Sequence, residues 1–381
     1  MDKDKNLPSI VYEKHQSFNL FSTNTNVDLE SQKKRCIKIL KSKTGNDYQD
    51  QILASALSDF ENVGGKFKIT PFIADELALL EDKNIPRFLF HRYRYDVFPS
   101  EKKLDDYPPY VQIEPTSLCN YQCVFCYQTD REYFKKSSAK MGSMTLDTFK
   151  KITDEIQGKV EFLSLASRGE PMMCKEIDSI LEYAVGRYLG LKVNTNASLL
   201  NEKHIHALLA GGVETVVFSA DAAEEPLYSQ LRVKGNLDKV LKNIELFQKI
   251  RETQYPHAKI ISRVSGVKVS DDQGFDQMKK LWGNLVDQVA FVKYNPWENI
   301  YESDANGVTL PCSDLWRRMF VWFDGEVNPC DSDYRSNLSM GKFPEFTISD
   351  IWKSERYGDL RNAHLNQSRQ VVEPCKRCSV V

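Results

Sequence analysis

Apolar and polar positions follow two different periods along this chain, and the period changes near residue 110. Between residues 31 and 63, apolar residues recur at the spacing that predicts helices. The recurring residues are Tyr48, Ile52, Leu53, Ala56, Leu57 and Phe60. Gly64-Gly65 ends this pattern, and Thr70-Pro71 predicts the start of a further helix. Residues 1 to about 30 are polar and aperiodic, and we expect a loose arm there.

From Tyr110 onward, short apolar runs typical of strands alternate with runs of helical spacing. The strand-like runs cover residues 111–114, 160–165, 191–195, 215–219, 259–266 and 288–293. The helical runs between them lie near residues 145–156, 175–187, 201–210, 236–252 and 273–283. Six strand–helix steps predict a parallel sheet with right-handed crossovers, and therefore an α/β fold.

The composition of the 381-residue chain narrows its partners and its compartment. Lysine and arginine number 51 against 53 aspartate and glutamate, so no basic excess indicates nucleic acid as the main partner. The aromatic and basic stretch 87–95 is therefore expected to pack on the next part of the chain. No apolar run approaches about 18 residues, so we expect no membrane span. The polar start leads into no apolar segment, which predicts a cytoplasmic protein. In that compartment nine cysteines indicate metal binding rather than disulfides.

Three cysteines, Cys119, Cys123 and Cys126, form a C-x3-C-x2-C array directly after the first of the six strands. A loop this tight can aim three sulfurs at one point. Thiolates favour iron–sulfur clusters or zinc, and zinc normally takes four ligands. Three thiolates suit a four-iron cluster that keeps one iron open. A structural or zinc-binding set of cysteines remains the alternative at this point.

The array, with the aromatic Phe125 before its last cysteine, resembles the signature of the radical S-adenosylmethionine (SAM) superfamily. The resemblance implies a partial (β/α)6 TIM-like barrel, which agrees with the strand count. It also implies a [4Fe–4S] cluster on these three cysteines, with SAM on the open iron, and an electron donor such as flavodoxin or ferredoxin. The cysteine loop follows a strand, which is the active-site end of such barrels.

Two further motifs resemble the SAM-binding elements of this superfamily. Gly169-Glu170-Pro171 follows the second strand and resembles the motif that binds the methionyl amino group. Asn194 or Asn196, after the third strand, would by resemblance meet the ribose. A plain asparagine turn is the alternative for that pair.

The fourth strand ends in Ser219-Ala220-Asp221, and Arg232 follows. This stretch resembles one in relatives with extra clusters, where the serine and the arginine hold the methionyl carboxylate. Arginine suits that role because its guanidinium can bind a carboxylate through two parallel hydrogen bonds. The family usually has glycine after the aspartate, whereas this chain has Ala222.

A second set of cysteines lies near the C-terminus, at Cys312, Cys330, Cys375 and Cys378. Four cysteines make a closed site for an iron–sulfur cluster or zinc, and the spacing alone slightly favours zinc. The Gly-x4-Cys element that ends at Cys330 resembles the SPASM/twitch auxiliary-cluster domain. That resemblance implies the shorter, twitch form with one auxiliary [4Fe–4S] cluster, as in a radical enzyme that oxidises a sugar-like alcohol.

Asp331 directly follows one of these cysteines. In relatives that mature sulfatases, an aspartate at this place takes a proton from the substrate radical. The resemblance therefore makes Asp331 a candidate catalytic base. The alternative is a cap of the loop that binds the cluster.

Three segments follow from these observations. Residues 1–105 form an arm and a mainly helical extension, residues 106–300 the radical SAM core, and residues 301–381 a small domain that binds the auxiliary cluster. The resemblance, which covers about residues 107–381, implies abstraction of a hydrogen from a C–H bond. The substrate is expected to be a sugar, nucleotide-sugar or cyclitol, dehydrogenated or epimerised.

Two rival interpretations remain. One is a SPASM-type maturase of a ribosomally made peptide, with residues 31–95 as a peptide-binding domain. The other is a non-catalytic iron–sulfur or zinc protein that senses or carries electrons. A sensor would not need Gly169-Glu170-Pro171 and Arg232 around an open iron.

Overall fold

The computed structural model describes residues 18–22, 27–42, 47–131, 133–135, 140–270 and 273–381. The described strands join one sheet in the order β1-β7-β6-β5-β4-β3-β2-β8-β9-β10. Their bounds are β1 Phe18–Ser22, β2 Tyr110–Ile113, β3 Phe162–Leu165, β4 Gly190–Thr195, β5 Thr215–Ser219, β6 Ile261–Lys268, β7 Gln288–Lys293, β8 Arg318–Val321, β9 Glu326–Asn328 and β10 Gly341–Lys342. The six strands predicted between residues 111 and 293 are β2 to β7.

The helices fall into an N-terminal group, a group that alternates with the strands, and a C-terminal pair. They are α1 Leu29–Lys41, α2 Tyr48–Glu61, α3 Pro71–Leu79, α4 Ile85–Asp96, α5 Phe98–Glu101, α6 Leu146–Ile156, α7 Ile177–Ala184, α8 Glu202–Ala210, α9 Leu227–Leu231, α10 Leu237–Gln254, α11 Phe275–Gly283, α12 Ile348–Lys353 and α13 Glu355–Leu365. No helix among the described residues has the length and apolar character needed to cross a membrane.

Strands β2 to β7 are parallel, and alternate side chains give each strand an apolar and a polar face. The apolar face packs in the main core with residues of α6 to α11. Its strand residues include Val111, Ile113, Leu163, Leu165, Val193, Val216, Phe218, Val264, Val289 and Phe291. The intervening positions carry polar residues such as Gln112, Ser164, Lys192, Arg263 and Gln288. The predicted α/β partial barrel is thereby confirmed.

The C-terminal segment adds its own strand to the barrel sheet. Strand β8 pairs in parallel with β2, with Val111 opposite Met319 and Ile113 opposite Val321. The amide of Glu114 then donates to the carbonyl of Val321 at 2.9 Å. The end of β2, where the cysteine loop begins, is therefore supported from both sides.

The N-terminal helices pack against the amino ends of the barrel strands. His91 of α4 stacks on Phe162 at the start of β3, with ring centroids 4.1 Å apart. Gln288, at the start of β7, donates to Asp75 of α3 at 2.7 Å. The helical extension therefore lies at the end of the barrel opposite the cysteine loop, and the 87–95 stretch packs on the barrel as expected.

The expectation of a loose arm over residues 1 to about 30 was wrong for one segment, residues 18–22. Residues 18–22 form β1, which pairs antiparallel with β7, and α1 begins at Leu29. A strand added to the edge of a sheet depends on its distant partner, which local polarity does not reveal. Residues 1–17 and 23–26 lie outside the described residues.

Candidate active site

The cysteine loop, residues 119–126, is held by backbone hydrogen bonds to the end of α9 and the residues just after it. The amide of Gln122 donates to the carbonyl of Val233, and that of Val124 to the carbonyl of Leu231, each at 3.0 Å. These two bonds bracket Arg232. The fold therefore brings the predicted cluster ligands and the predicted carboxylate-binding arginine together.

The three thiols of the loop lie in a buried environment that suits a metal cluster. Burial raises the pKa of Cys119 to about 12, and the nearby Glu170 carboxylate adds to the effect. Burial also raises the pKa of Cys126, to which the charges of Cys123 and Cys119 contribute. A thiol must lose its proton to bind iron, and the positive charge of the iron would offset the cost of the buried thiolates. The residues present therefore fit the cluster.

Gly169 packs directly on the start of the cysteine loop. A Cβ atom at this position would lie 2.3 Å from the carbonyl oxygen of Thr116 and 2.5 Å from that of Leu118. The next amide, of Glu170, donates to the same Leu118 carbonyl at 2.8 Å. The contact is backbone to backbone, which explains why the turn requires glycine at this position.

The carboxylate of Glu170 ties the turn after β3 to the turn after β4. It accepts from the hydroxyl of Thr195 at 2.5 Å, the amide of Asn196 at 2.7 Å and the amide of Met172 at 3.2 Å. A carboxylate has about four acceptor positions, so one remains for a ligand ammonium. Burial raises the pKa of Glu170, and these hydrogen bonds oppose that shift.

Asn194 and Asn196 differ in what their side chains do. Both polar atoms of the Asn196 side chain have partners. Its nitrogen donates to Asn120 at 3.0 Å, and its oxygen accepts from the backbone amide and the hydroxyl of Ser198. The amide oxygen of Asn194 is buried and has no partner among the described residues. The geometry thus favours Asn194 for a ligand hydroxyl and gives Asn196 the asparagine-turn role.

Arg232 is a buried residue with two partners in the site. Its Nε lies 2.6 Å from the Asp221 carboxylate, and its Nη1 lies 3.8 Å from the sulfur of Cys123. Asp221 also accepts from the amide of Val267 at 2.6 Å, which fixes the pair to β6. Ser219 lies at the end of β5 and is partly exposed. The guanidinium has five N–H donors, so some remain for a ligand carboxylate.

A buried ion pair that the motifs do not reveal joins the barrel to the C-terminal domain. Glu114 follows β2, and Arg168 precedes the Gly169 turn. The guanidinium of Arg168 donates to both carboxylate oxygens of Glu114, at 2.7 and 2.6 Å. It also donates to the carbonyl of Tyr334 at 3.1 Å and lies 4.4 Å from the ring centre of Trp322. The sequence signal was weak: Glu114 directly follows β2, and Arg168 directly precedes the Gly169 turn.

The second cysteine set converges on a small cavity, here called the auxiliary cavity. It is lined by all four predicted ligands, together with His364 and Arg369; these ligands are Cys312, Cys330, Cys375 and Cys378. The buried guanidinium of Arg369 donates to the carbonyls of Cys375, at 3.0 Å, and of Cys378. Burial raises the pKa of Cys312 to about 12 and that of Cys375 well above its usual value. Four converging thiols fit a cysteine-held cluster.

Among the described residues, no group of three or more histidine, cysteine, aspartate or glutamate side chains is placed to hold a single metal ion.

A cluster rich in aromatic residues contacts both cysteine sets. Its buried members are Tyr127, Phe134, Ile300, Tyr334, Cys378 and Val380, and Cys126 and Cys312 pack against it. Tyr127 and Tyr334 stack with ring centroids 5.2 Å apart. Burial raises the pKa of Tyr127, and the charges of Cys126 and Asp331 add to that effect. The structure therefore places both cysteine sets at the same end of the barrel.

Comparisons with known proteins agree with this arrangement. Residues 113–261 match the radical SAM superfamily, and residues 312–379 match the SPASM family, an iron–sulfur cluster-binding domain. The chain is therefore a radical SAM enzyme with a C-terminal SPASM domain, as predicted. It uses SAM on a [4Fe–4S] cluster and an auxiliary iron–sulfur cluster.

Individual relatives of known name share only a minority of their residues with this chain. The AdoMet-dependent heme synthase of Methanosarcina barkeri is 28% identical over a match that covers 37% of this chain and 40% of that protein. The tungsten-containing aldehyde ferredoxin oxidoreductase cofactor-modifying protein of Pyrococcus furiosus is 26% identical over 71% of this chain and 87% of its own length. The SAM-dependent 2-deoxy-scyllo-inosamine dehydrogenase of Niallia circulans is 21% identical over 71% of this chain and 92% of its own length.

The crystal structure of Streptococcus suis SuiB bound to S-adenosylmethionine shares the fold. Its TM-score is 0.54 at 14% identity, over 94% of this chain and 91% of that chain.

Proposed function

We propose that this enzyme dehydrogenates a C–H-bearing alcohol of a sugar, nucleotide-sugar or cyclitol. The observation that carries the proposal is the auxiliary cavity. All four C-terminal cysteines line it, and one aromatic cluster connects it to the cysteine loop. An electron acceptor built into the protein beside the radical site is what a net oxidation requires.

In this proposal Cys119, Cys123 and Cys126 hold the core cluster, and the four cysteines of the auxiliary cavity hold the second one. When bound, the core cluster with SAM supplies a 5′-deoxyadenosyl radical, and the auxiliary cluster supplies a one-electron acceptor. The Gly169 turn and the free acceptor position of Glu170 bind the methionyl ammonium. Arg232 and Ser219 bind the methionyl carboxylate.

The oxidation of a secondary alcohol to a ketone removes two hydrogen equivalents. One leaves as a hydrogen atom and ends in 5′-deoxyadenosine. The other leaves as a proton and an electron; Asp331 accepts the proton, and the electron stays in the protein. Asp331 suits this role because it directly follows Cys330, which lines the auxiliary cavity, and because its charge acts on Tyr127 of the aromatic cluster. Asn194 orients the ribose through its open amide oxygen.

The substrate class rests on one relative in particular. The Niallia circulans protein is named a dehydrogenase of 2-deoxy-scyllo-inosamine, and the match spans 92% of its length. A sugar-like alcohol is therefore our preferred substrate. A flavodoxin or ferredoxin in the cytoplasm would supply the electron for each SAM cleavage. Epimerisation would differ only in the return of a hydrogen to the same carbon.

The N-terminal region supports peptide maturation less well than oxidation of a sugar-like alcohol. Within the described parts of residues 29–101 the chain forms helices and no strand, whereas a leader-binding module combines helices with a small sheet. These helices are also engaged with the barrel, through contacts such as His91 on Phe162.

The test is anaerobic reconstitution with iron and sulfide, followed by reduction and an assay of 5′-deoxyadenosine against a panel of aminocyclitols and nucleotide-sugars. We expect about eight irons per chain, corresponding to two four-iron clusters. We also expect one product, two mass units lighter than its substrate, for each 5′-deoxyadenosine. A product of unchanged mass with solvent hydrogen at one carbon would make the enzyme an epimerase. Cleavage with only about four irons would refute the auxiliary cluster.

A further inference from the structure

His364 is a fully buried residue of α13 that lines the auxiliary cavity without being one of its cysteines. Its Nδ1 atom accepts the backbone N–H of Cys312 at 3.2 Å. Its Nε2 atom is buried and has no partner among the residues that the structure describes. Buried polar atoms in folded proteins are normally paired, so this one points to a group that the cavity receives.

The hydrogen bond to Cys312 fixes the tautomer of the imidazole. A backbone amide can only donate, so Nδ1 must be the acceptor and carries no proton. The neutral ring then carries its proton on Nε2. The atom without a partner is therefore an N–H donor in a cavity formed by four cysteines.

We propose that Nε2–H of His364 donates a hydrogen bond to a sulfur of the auxiliary cluster and raises the reduction potential of that cluster. A hydrogen bond to sulfur stabilises the reduced state more, because that state carries the extra negative charge. The inference rests on the proposed function in one respect, namely that the four cysteines hold an iron–sulfur cluster. His364 is a positioning residue here, and it tunes the acceptor.

His364 does not serve as a ligand in this arrangement. Coordination through Nε2 would displace its proton while Nδ1 still accepts from Cys312, which leaves an imidazolate. Four cysteines already complete the coordination of a closed cluster. Arg369 acts in the same direction as His364, because its guanidinium is a fixed positive charge beside the cavity. Both groups make the cluster easier to reduce, as an electron acceptor requires.

The test isolates the auxiliary cluster in the full-length chain by replacing Cys119, Cys123 and Cys126 with alanine. Two substitutions of His364 are compared in this background. His364→Asn keeps an acceptor near the Nδ1 position for Cys312 and, being shorter, places no N–H at the Nε2 position. His364→Gln places an N–H near the Nε2 position. The readout is a redox titration followed by electron paramagnetic resonance, with iron counted in each variant.

We expect His364→Asn to raise the ratio of oxidised to reduced cluster at a fixed potential about tenfold, a fall of about 59 mV for a one-electron couple. His364→Gln should stay near the parent. An unchanged midpoint in His364→Asn at equal iron content would overturn the proposal. A parent that binds no iron would instead refute the auxiliary cluster itself, and with it the proposed function.

A measurement on the unsubstituted cluster covers the case in which His364→Asn does not fold. The parent is labelled with 15N-histidine, and nuclear couplings to the reduced cluster are recorded in H2O and D2O. Weak nitrogen coupling with an exchangeable proton would support the hydrogen bond. Strong coupling would show direct ligation, and no coupling would show that His364 faces elsewhere; either result overturns the proposal.

Discussion

The core cysteines lie within one loop, from Cys119 to Cys126, whereas the auxiliary cysteines come from three separate places between Cys312 and Cys378. The groups around them differ as well. The core site has a buried acceptor without a partner among the described residues, the amide oxygen of Asn194. The auxiliary cavity has such a donor, Nε2 of His364, and the guanidinium of Arg369, which binds cysteine carbonyls. The core site is thus built to receive a small molecule, and the auxiliary site to hold a cluster and modulate it.

The largest expected effect separates the two sites chemically. Cys123→Ala should abolish SAM cleavage, because it removes one of three core ligands. Cys375→Ala should spare cleavage and lose the oxidised product, because it removes an auxiliary ligand only. Both are measured as 5′-deoxyadenosine and product per chain after reconstitution. Full cleavage by Cys123→Ala would break the assignment of the core site, and normal product from Cys375→Ala would break that of the auxiliary site.

The joint between the two regions should be the next most sensitive place. Arg168→Met leaves the carboxylate of Glu114, which is 0% exposed, without its charged partner. We expect a loss of about 3–5 kcal/mol in the free energy of unfolding, measured by urea denaturation. Because the pair can be replaced together, the double variant Glu114→Met/Arg168→Met should recover most of this loss. Equal stability of Arg168→Met and the parent would mean that the pair does not join the regions.

Gly169→Ala tests how closely the turn must approach the cysteine loop. The added Cβ would lie 2.3 Å from a backbone oxygen, so the turn must move, and we expect weaker SAM binding in equilibrium dialysis. The matched control is Gly358→Ala in α13, where a Cβ meets nothing within 4 Å. That change should stabilise the protein by about 0.5–1 kcal/mol through helix propensity. Unchanged SAM affinity in Gly169→Ala would contradict the close packing.

The smallest expected effect distinguishes the two asparagines of the open site. Asn194→Ala should weaken SAM binding by about tenfold, the value of one hydrogen bond of roughly 1.4 kcal/mol, with little change in stability. Asn196→Ala should instead lower the free energy of unfolding, because it removes one hydrogen bond from Asn120 and two from Ser198. Affinity and denaturation measured on the same samples decide between them. The opposite pattern would exchange the roles of the two residues.

The barrel and both cysteine sets could be predicted, because strand–helix alternation and cysteine spacing are visible in the sequence without knowledge of long-range contacts. The strand runs 111–114 and 288–293 differ from β2 and β7 by about one residue at most. What could not be predicted depends on long-range pairing. Tyr334 meets Arg168 across 166 residues, and His364 meets Cys312 across 52. Tyr334 and His364 lie in no motif, and nothing near either of them in the sequence indicates its partner.

The pairing of β8 with β2 also constrains how the protein can be made. During synthesis β2 emerges long before β8, so one edge of β2 stays unpaired until the chain has grown past Val321. An exposed strand edge readily pairs with other chains, and a chain truncated before β8 should therefore aggregate. Strand β2, which leads into the loop of the core cysteines, gains its second neighbouring strand only when the C-terminal segment with β8 has been made. Assembly of the radical SAM site is thereby linked to completion of the SPASM domain.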